Sequence, residues 1–287
     1  MPQRRAFLRA AGTLAAGLAG CAAPTRGAAP WPWLVAPREV GADHYEFLSL
    51  RPRTLLHSDA VAREVRRSLR ANVGVRVRDE FGVELAAVDG YTFYAADGGV
   101  SGGHGAVRGG IVADRVADAA AGNGYTAEGS YAGFDLYLSP AGALAIGIGD
   151  DLLVFGARTE ELSAVAAARA VADAESGRLP RYRETNADFD ALADEVGGGV
   201  LVAGRTREPT ADGLVGEGIR WRLGGTRSTV TRALVFTDAA AAGEADLRGQ
   251  TDPRLRSAGA DTARRGRVGV VRASLPTEAV GLGLFAL

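Results

Sequence analysis

The sequence predicts an α+β fold in which antiparallel meander sheets carry helices packed on one face. Short runs of alternating apolar residues follow one another between turn residues, which is typical of antiparallel meanders. Helical repeats stand before and after these groups of strands, whereas a doubly wound parallel sheet requires a helix after each strand. The order helix, strands, helix occurs in each half of the chain, which leaves open that the two halves are related units.

The first half begins with a strand and a helix and then enters a glycine-rich segment. The expected helix has apolar residues at four-residue steps, Val61, Val65 and Leu69, with Ser58 as its N-cap. Residues 98–110 contain so many glycines that they predict a loop or the edge of a sheet. The expected elements are a strand over 44–50, this helix, a hairpin of strands 83–88 and 91–95 about Asp89-Gly90, and a helix over 111–121.

A meander closes the first half, and a second set of elements follows. The meander strands are expected over 125–131, 134–138, 143–149 and 152–155, before a helix capped by Thr159 that extends to about residue 174. The second half predicts helices over 189–196 and 239–247 and strands over 199–203, 218–223, 228–237 and 268–275.

Alternate residues of a strand share one face of a sheet, and this period predicts two sets of core residues in the meander. One core is expected to contain Leu136, Ile146, Leu152 and Val154. Leu153 and Phe155 should lie on the opposite face of their strand, covered by a helix or by the second half of the chain.

The N-terminus has the features of an export signal. Arg4 and Arg5 form a basic region, and Phe7 and Leu8 follow them, as in the twin-arginine motif. The apolar run over 10–20 is too short for a permanent transmembrane helix, which needs roughly 20 apolar residues. The sequence therefore predicts export by the twin-arginine route.

A lipobox-like motif follows directly. Leu18-Ala19-Gly20-Cys21 ends in the only cysteine of the chain. Lipidation of Cys21 would make it the first mature residue and would fix the protein to the outer face of the membrane, because two acyl chains hold stably where one is marginal. With no second cysteine, the fold contains no disulfide.

Four domains or segments are expected from these features. They are a twin-arginine lipoprotein signal peptide over 1–21, a proline-rich tether over 22–42, a first α+β unit over 43–178 and a second over 179–287. Proline density in the tether favours extended chain. Trp31 and Trp33 within it leave two alternatives open, contact with lipid headgroups or docking on the folded domain.

One stretch supports a family resemblance. Residues 111–156 combine a helix with Tyr-x-Gly-Phe-Asp-Leu-Tyr and Ala-Ile-Gly-Ile-Gly-Asp-Asp-Leu-Leu-Val-Phe-Gly, and Asn186-Ala187-Asp188-Phe189 comes later. Over about residues 44–275 the chain resembles a group of haloarchaeal twin-arginine lipoproteins of unknown function. The resemblance implies an archaeal cell-surface lipoprotein and implies no activity.

Ser101 is a candidate catalytic nucleophile, because residues 99–103 match Gly-x-Ser-x-Gly. That motif needs a strand-to-helix turn at the serine and then an aspartate and a histidine later in the chain. No histidine follows His104, which lies three residues beyond Ser101. The pattern is better explained by a flexible glycine loop, in which Ser101 and His104 are surface residues.

Metal sites and phosphate loops find little support in the sequence. No two of the three histidines, His44, His57 and His104, have the spacing of a helical metal site. Asp150 and Asp151 are adjacent on a predicted strand turn, so turn chemistry explains them better than paired catalysis. The 33 basic residues are all arginine, so no loop with a P-loop lysine exists.

Composition narrows the function classes. A net charge of −1 argues against nucleic acid as a partner. Together with the motifs above, this leads us to expect no catalytic residue, no metal and no cofactor. The expected partner is the membrane, through the N-terminal lipid, and a protein partner is left open. The leading hypothesis is a non-catalytic interaction or envelope protein at the cell surface. The alternatives are a lipid-anchored solute-binding protein and a serine hydrolase that uses Ser101.

Overall fold

Twelve strands of the described residues pair into one open antiparallel sheet. The structure is a computed structural model that describes residues 31–96 and 103–282, and at residue 76 the backbone alone. The strands are β1 Tyr45–Leu50, β2 Gly90–Ala96, β3 His104–Arg108, β4 Thr126–Tyr131, β5 Phe134–Leu138, β6 Leu144–Ile148, β7 Leu152–Ala157, β8 Leu201–Thr206, β9 Leu214–Arg222, β10 Arg227–Phe236, β11 Asp261–Arg265 and β12 Val268–Pro276. The predicted α+β class with an antiparallel sheet is confirmed.

The helices of the described residues are short. They are α1 Pro52–His57, α2 Arg63–Leu69, α3 Val75–Phe81, α4 Ala113–Gly122, α5 Ala164–Glu175, α6 Tyr182–Thr185, α7 Ala187–Val196, α8 Ala239–Glu244 and α9 Pro253–Ser257. Two predicted caps are wrong. Ser58 ends α1 and does not cap α2, and α5 begins after Ser163, whose hydroxyl accepts a hydrogen bond from the Ala166 N–H at 3.2 Å, and not after Thr159.

Both halves of the chain contribute to the same sheet. The strand order is β11-β12-β10-β9-β8-β1-β2-β3-β7-β6-β5-β4, so β1 to β7 occupy one side and β8 to β12 the other. The two sides meet where β1 pairs with β8, with Leu48 opposite Ala203. The two expected units over 43–178 and 179–287 therefore extend one sheet edge to edge.

Helices cover both faces of the sheet, which corrects the expectation of helices on one face. We call the face under α5 and α7 the front face and the opposite face the back face. Gly156 of β7 faces α5 so closely that an added Cβ would lie 2.3 Å from the Ala168 nitrogen. Gly218 of β9 similarly faces Leu192 of α7. On the back face, α1 to α4 pack against β2, β3, β6 and β7, and α8 and α9 pack near β10 and β12.

The meander confirms most of the predicted core and corrects one residue. Leu136 and Val154 share the front core, and Leu153 and Phe155 lie in the back core beneath helices, as predicted. Ile146 belongs to the back core instead. The register pairs Ile146 with Phe155, and directly paired residues of neighbouring strands share a face.

Residues 104–108 form an interior strand and not a loop or sheet edge. β3 lies between β2 and β7. A Cβ on Gly105 would lie 2.0 Å from the Thr92 carbonyl oxygen and 2.7 Å from the Phe155 ring, so the glycine allows close approach of strand and ring. The predicted hairpin of strands 83–88 and 91–95 is also wrong, since residues 85–87 form a 3₁₀ turn and β2 pairs with β1 and β3.

The N-terminal part of the described chain is packed on the front face. Trp31 and Trp33 are both buried, and Leu34 and Val35 are fully enclosed. The tether predicted over 22–42 is therefore wrong for residues 31–42, which belong to the folded domain. Of the two alternatives for the tryptophans, docking on the domain is the one observed.

Candidate functional site

All residues of the predicted export and lipidation signal lie outside the described part of the chain. They are Arg4, Arg5, Phe7, Leu8 and Cys21, and Ser101 also lies outside it. Their roles stay predictions from the sequence.

His104 is a core residue of β3 and not the surface residue predicted. It lies opposite Tyr94 in the register, its ring is 5.5 Å from the Tyr94 ring, and the residue is 3% exposed. Burial lowers the pKa of His104 to about 4, so the imidazole is neutral at neutral pH. Among the described residues its Nδ1 has no hydrogen-bond partner.

The other two histidines have separate surroundings. His44 contacts the Thr206 hydroxyl through Nδ1 at 3.3 Å and the Glu208 carboxylate through Nε2 at 3.2 Å. His57 contacts the carbonyl oxygen of Arg53 at 2.8 Å. Within residues 31–96 and 103–282, no three histidine, cysteine or acidic side chains converge as metal ligands.

A cluster of ion pairs joins three strands on the back face. The Glu217 side chain on β9 is only 5% exposed. Arg205 of β8 donates to its Oε1 through Nε at 2.9 Å and Nη2 at 2.7 Å, and Arg232 of β10 donates to its Oε2 at 2.8 Å. Arg207 donates to Oε1 as well, and Arg205 also reaches the half-exposed Glu46 at 3.3 Å. The carboxylate is saturated with donors, so this cluster stabilises the sheet and offers no free base.

An arginine-lined cleft opens beside the edge strand β11. Its volume is about 270 Å³. It is lined by Arg248, Thr251, Arg256, Gly259, Ala260, Asp261, Thr262 and Val271. Arg248 and Arg256 are exposed, and neither guanidinium has a hydrogen-bond or ion-pair partner among the described residues. Two unpaired guanidiniums with a single carboxylate, that of Asp261, favour a small anion over a cation.

Sequence reasoning missed both arginine groups, although one signal was visible. Arg205 and Arg207 stand two residues apart, directly after the strand predicted over 199–203, and this spacing places both on one face if the extended chain continues. Their shared partner Glu217 is set by strand pairing and has no signature in the local sequence.

Comparison with known proteins identifies the fold alone. The chain matches no protein-family model and no curated protein. The crystal structure of TP0453 in crystal form IV is similar at a TM-score of 0.51 and 11% identity, over 86% of this chain and 96% of that chain. Crystal forms III and I of TP0453 give TM-scores of 0.49 and 0.48 at 11% and 10% identity, each over 87% of this chain and over 94% and 93% of the other chain. At 11% identity, the similarity to crystal form IV is evidence for the antiparallel α+β fold and for nothing further.

Proposed function

We propose that this chain is exported by the twin-arginine route and is anchored to the outer face of the cell membrane by a lipid on Cys21. There the folded domain acts as a non-catalytic interaction or envelope protein. The proposal rests on the two motifs in register at the N-terminus and on the resemblance to haloarchaeal lipoproteins. No helix among the described residues is long and apolar enough to cross a membrane.

The position of Trp31 limits how far the folded domain can lie from an anchor on Cys21. Trp31 packs edge-on against Phe47 at 5.8 Å and Phe189 at 5.3 Å, so the folded domain already includes this residue. Only residues 22–30 separate it from Cys21, and a fully extended chain of that length spans about 30 Å. A lipid on Cys21 would therefore hold the front face of the sheet close to the membrane surface.

The placement of His104 speaks against the serine hydrolase alternative. A general base must reach the proton of its nucleophile and must titrate near the working pH. His104 is enclosed on the front face beside Tyr94, and burial lowers its pKa to about 4. An imidazole in this setting suits a core residue better than a base for Ser101.

The change Cys21→Ser is expected to move the protein from the membrane to the medium. The substitution removes the lipid acceptor and touches no described contact, so the released protein should unfold at the same temperature as the wild type. The measurement is membrane fractionation with a carbonate wash, followed by thermal unfolding of the released chain.

The double change Arg4→Lys, Arg5→Lys provides the companion control for the route. It should leave a folded precursor in the cytoplasm with Cys21 unprocessed. Retention of Cys21→Ser on carbonate-washed membranes would refute the lipid anchor, and normal export of the double variant would refute the twin-arginine route.

The cleft beside β11 favours a second candidate function, a lipid-anchored solute-binding protein for small anions. Two guanidiniums without partners match the two carboxylates of a dicarboxylate, since arginine pairs with carboxylate through two parallel hydrogen bonds. Succinate is a suitable probe for this cleft.

Isothermal calorimetry should detect succinate binding that the double change Arg248→Gln, Arg256→Gln weakens at least tenfold. Arg227→Gln is the matched control and should leave succinate binding unchanged. Arg227 is exposed and donates to Ser274 on the face of the sheet away from the cleft. Absence of saturable binding by the wild type, or equal binding by the double variant and the wild type, would remove this second candidate.

A further inference from the structure

The front face of the sheet is open to solvent beyond the C-terminal end of α7. Along β12, burial alternates residue by residue. Val271, Ala273 and Leu275 are buried on the back face, whereas Arg272, Ser274 and Pro276 are exposed on the front face. No helix of the described residues covers this part, so its side chains are available to a ligand.

Strand register gathers arginine and hydroxyl side chains on this open part. Thr229 of β10 lies between Arg222 of β9 and Ser274 of β12. In the next row Thr231 lies between Arg220 and Arg272. Neighbouring strands are about 4.8 Å apart, so two long arginine side chains on β9 and β12 can converge above the strand between them. We call Arg220, Arg222 and Arg272 the front arginine cluster.

Arg220 is buried in the sheet without a carboxylate contact. It is 6% exposed, donates to the Val196 carbonyl oxygen at 2.9 Å and to the Thr231 hydroxyl at 3.1 Å. Burial first, and then the positive charges of Arg222 and Arg272, lower the pKa of Arg220 to about 10. The whole cluster therefore lacks the carboxylate that saturates the arginines on the back face.

The outer two arginines of the cluster are unpaired. Neither the Arg222 nor the Arg272 guanidinium has a hydrogen-bond or ion-pair partner among the described residues. Asp261 lies opposite Arg272 on β11 but forms no ion pair with it, and Glu195 near Arg220 is held by Arg265 at 3.0 Å. Like charges at this spacing repel one another, which an anion between them would reverse.

We propose that the front arginine cluster is a binding site for a phosphate-type oxyanion. Arg222 and Arg272 contact the oxyanion from two sides, and the hydroxyl of Thr229, the residue of β10 directly beside Arg222, is a further donor. Arg220 is a positioning residue, which supplies fixed positive charge beneath the site and holds the end of α7 on the sheet. A tetrahedral dianion suits the site, because guanidinium groups pair with phosphate oxygens in two-point contacts. The source of the oxyanion is either free phosphate or the headgroup of an anionic lipid.

Inorganic phosphate is the probe for the first test, with the full chain carrying Cys21→Ser and ionic strength held constant with sodium chloride. Calorimetry should show saturable binding, and phosphate should raise the unfolding temperature. The double change Arg222→Gln, Arg272→Gln should weaken binding at least tenfold and abolish the stabilisation. Both residues are exposed, so the variant should fold, and without phosphate it should unfold at or above the wild-type temperature at low salt because repulsion is relieved.

Two further experiments distinguish the front arginine cluster from the cleft beside β11, and free phosphate from a lipid headgroup. The cleft variant Arg248→Gln, Arg256→Gln should keep the phosphate binding that the front variant loses. The second test is co-sedimentation with vesicles of phosphatidylglycerol, with phosphatidylcholine vesicles as the neutral control. If the wild type binds the phosphatidylglycerol vesicles and the front variant does not, the ligand is a lipid headgroup. Phosphate binding without vesicle binding assigns a free phosphate compound. Absence of saturable phosphate binding by the wild type, or an unchanged affinity in the front variant, would overturn the proposal.

Discussion

Replacing Glu217 with glutamine is expected to lower the free energy of unfolding by about 3–5 kcal/mol, because removal of one member of a buried ion cluster leaves the other charges without compensation. Arg205, Arg207 and Arg232 all donate to this carboxylate. An amide presents one acceptor and two donors, so it neutralises none of the three guanidiniums. Urea unfolding of the variant and the wild type at pH 7 measures the difference.

Lowering the pH should remove the stabilisation that the ionised Glu217 carboxylate gives to the wild type. Burial alone would raise the pKa of Glu217, but hydrogen bonds from Arg205 and Arg232 outweigh it and hold the pKa below its usual value. A carboxylate with a depressed folded-state pKa contributes its full stability above the unfolded-state pKa and loses it as the pH falls through the folded-state value. The difference between Glu217→Gln and the wild type should therefore shrink below about pH 4, the usual pKa range of glutamate.

Glu46→Gln is the matched control. Glu46 reaches only Arg205, at 3.3 Å, and is half-exposed, so its loss should change stability by at most about 1 kcal/mol. Equal effects of Glu46→Gln and Glu217→Gln at pH 7 would contradict the assignment of Glu217 as the centre of the cluster.

The strands that the sequence predicts correctly are those with a local signature. β5, β7 and β12 alternate or carry apolar runs between turn residues, and their bounds lie close to the expected ones. The class of the fold follows from these elements alone. The covering of both faces was not predictable, since a helix with one apolar stripe can pack on either face of a sheet.

The errors occur where a distant partner decides the local structure. Glycines in residues 98–110 indicate a loop, yet Gly105 belongs to an interior strand because the Phe155 ring occupies the space of its missing side chain. Prolines in residues 22–42 indicate an extended tether, yet the ring of Trp31 packs edge-on against both Phe47 and Phe189. Neither contact leaves a trace in the neighbouring sequence.

The two charge clusters differ in how far the sequence could predict them. Arg220 and Arg222 stand two residues apart on a predicted strand, so their shared face follows from the period of a strand. The position of Arg272 beside them follows only from the pairing of β10 with β12. Predicted strands therefore identify the arginines that can take part in a cluster, and strand pairing determines which of them lie next to one another.

Phe189→Ala is expected to lower the free energy of unfolding by about 3–5 kcal/mol, as Glu217→Gln does. Truncating a buried phenylalanine removes its transfer free energy and leaves a cavity. Phe189 is fully buried at the centre of the front core. Its ring stacks on Tyr182 at 4.4 Å and meets Trp31 and Phe47 edge-on at 5.3 Å and 5.5 Å. The cavity would therefore open directly beneath the N-terminal segment.

Phe189→Ala should also loosen the packing of Trp31 while the domain is still folded. This local effect distinguishes the variant from one that is only less stable. Acrylamide quenching of tryptophan fluorescence in the folded state should increase in Phe189→Ala. Phe155→Ala is the matched control, since Phe155 is also buried but packs against Phe81 on the back face, away from Trp31. It should lower stability by a similar amount and leave the quenching unchanged. If Phe189→Ala costs less than about 1 kcal/mol and leaves quenching at the wild-type level, the N-terminal segment is not held by the front core, and the short reach from Cys21 to the domain no longer follows.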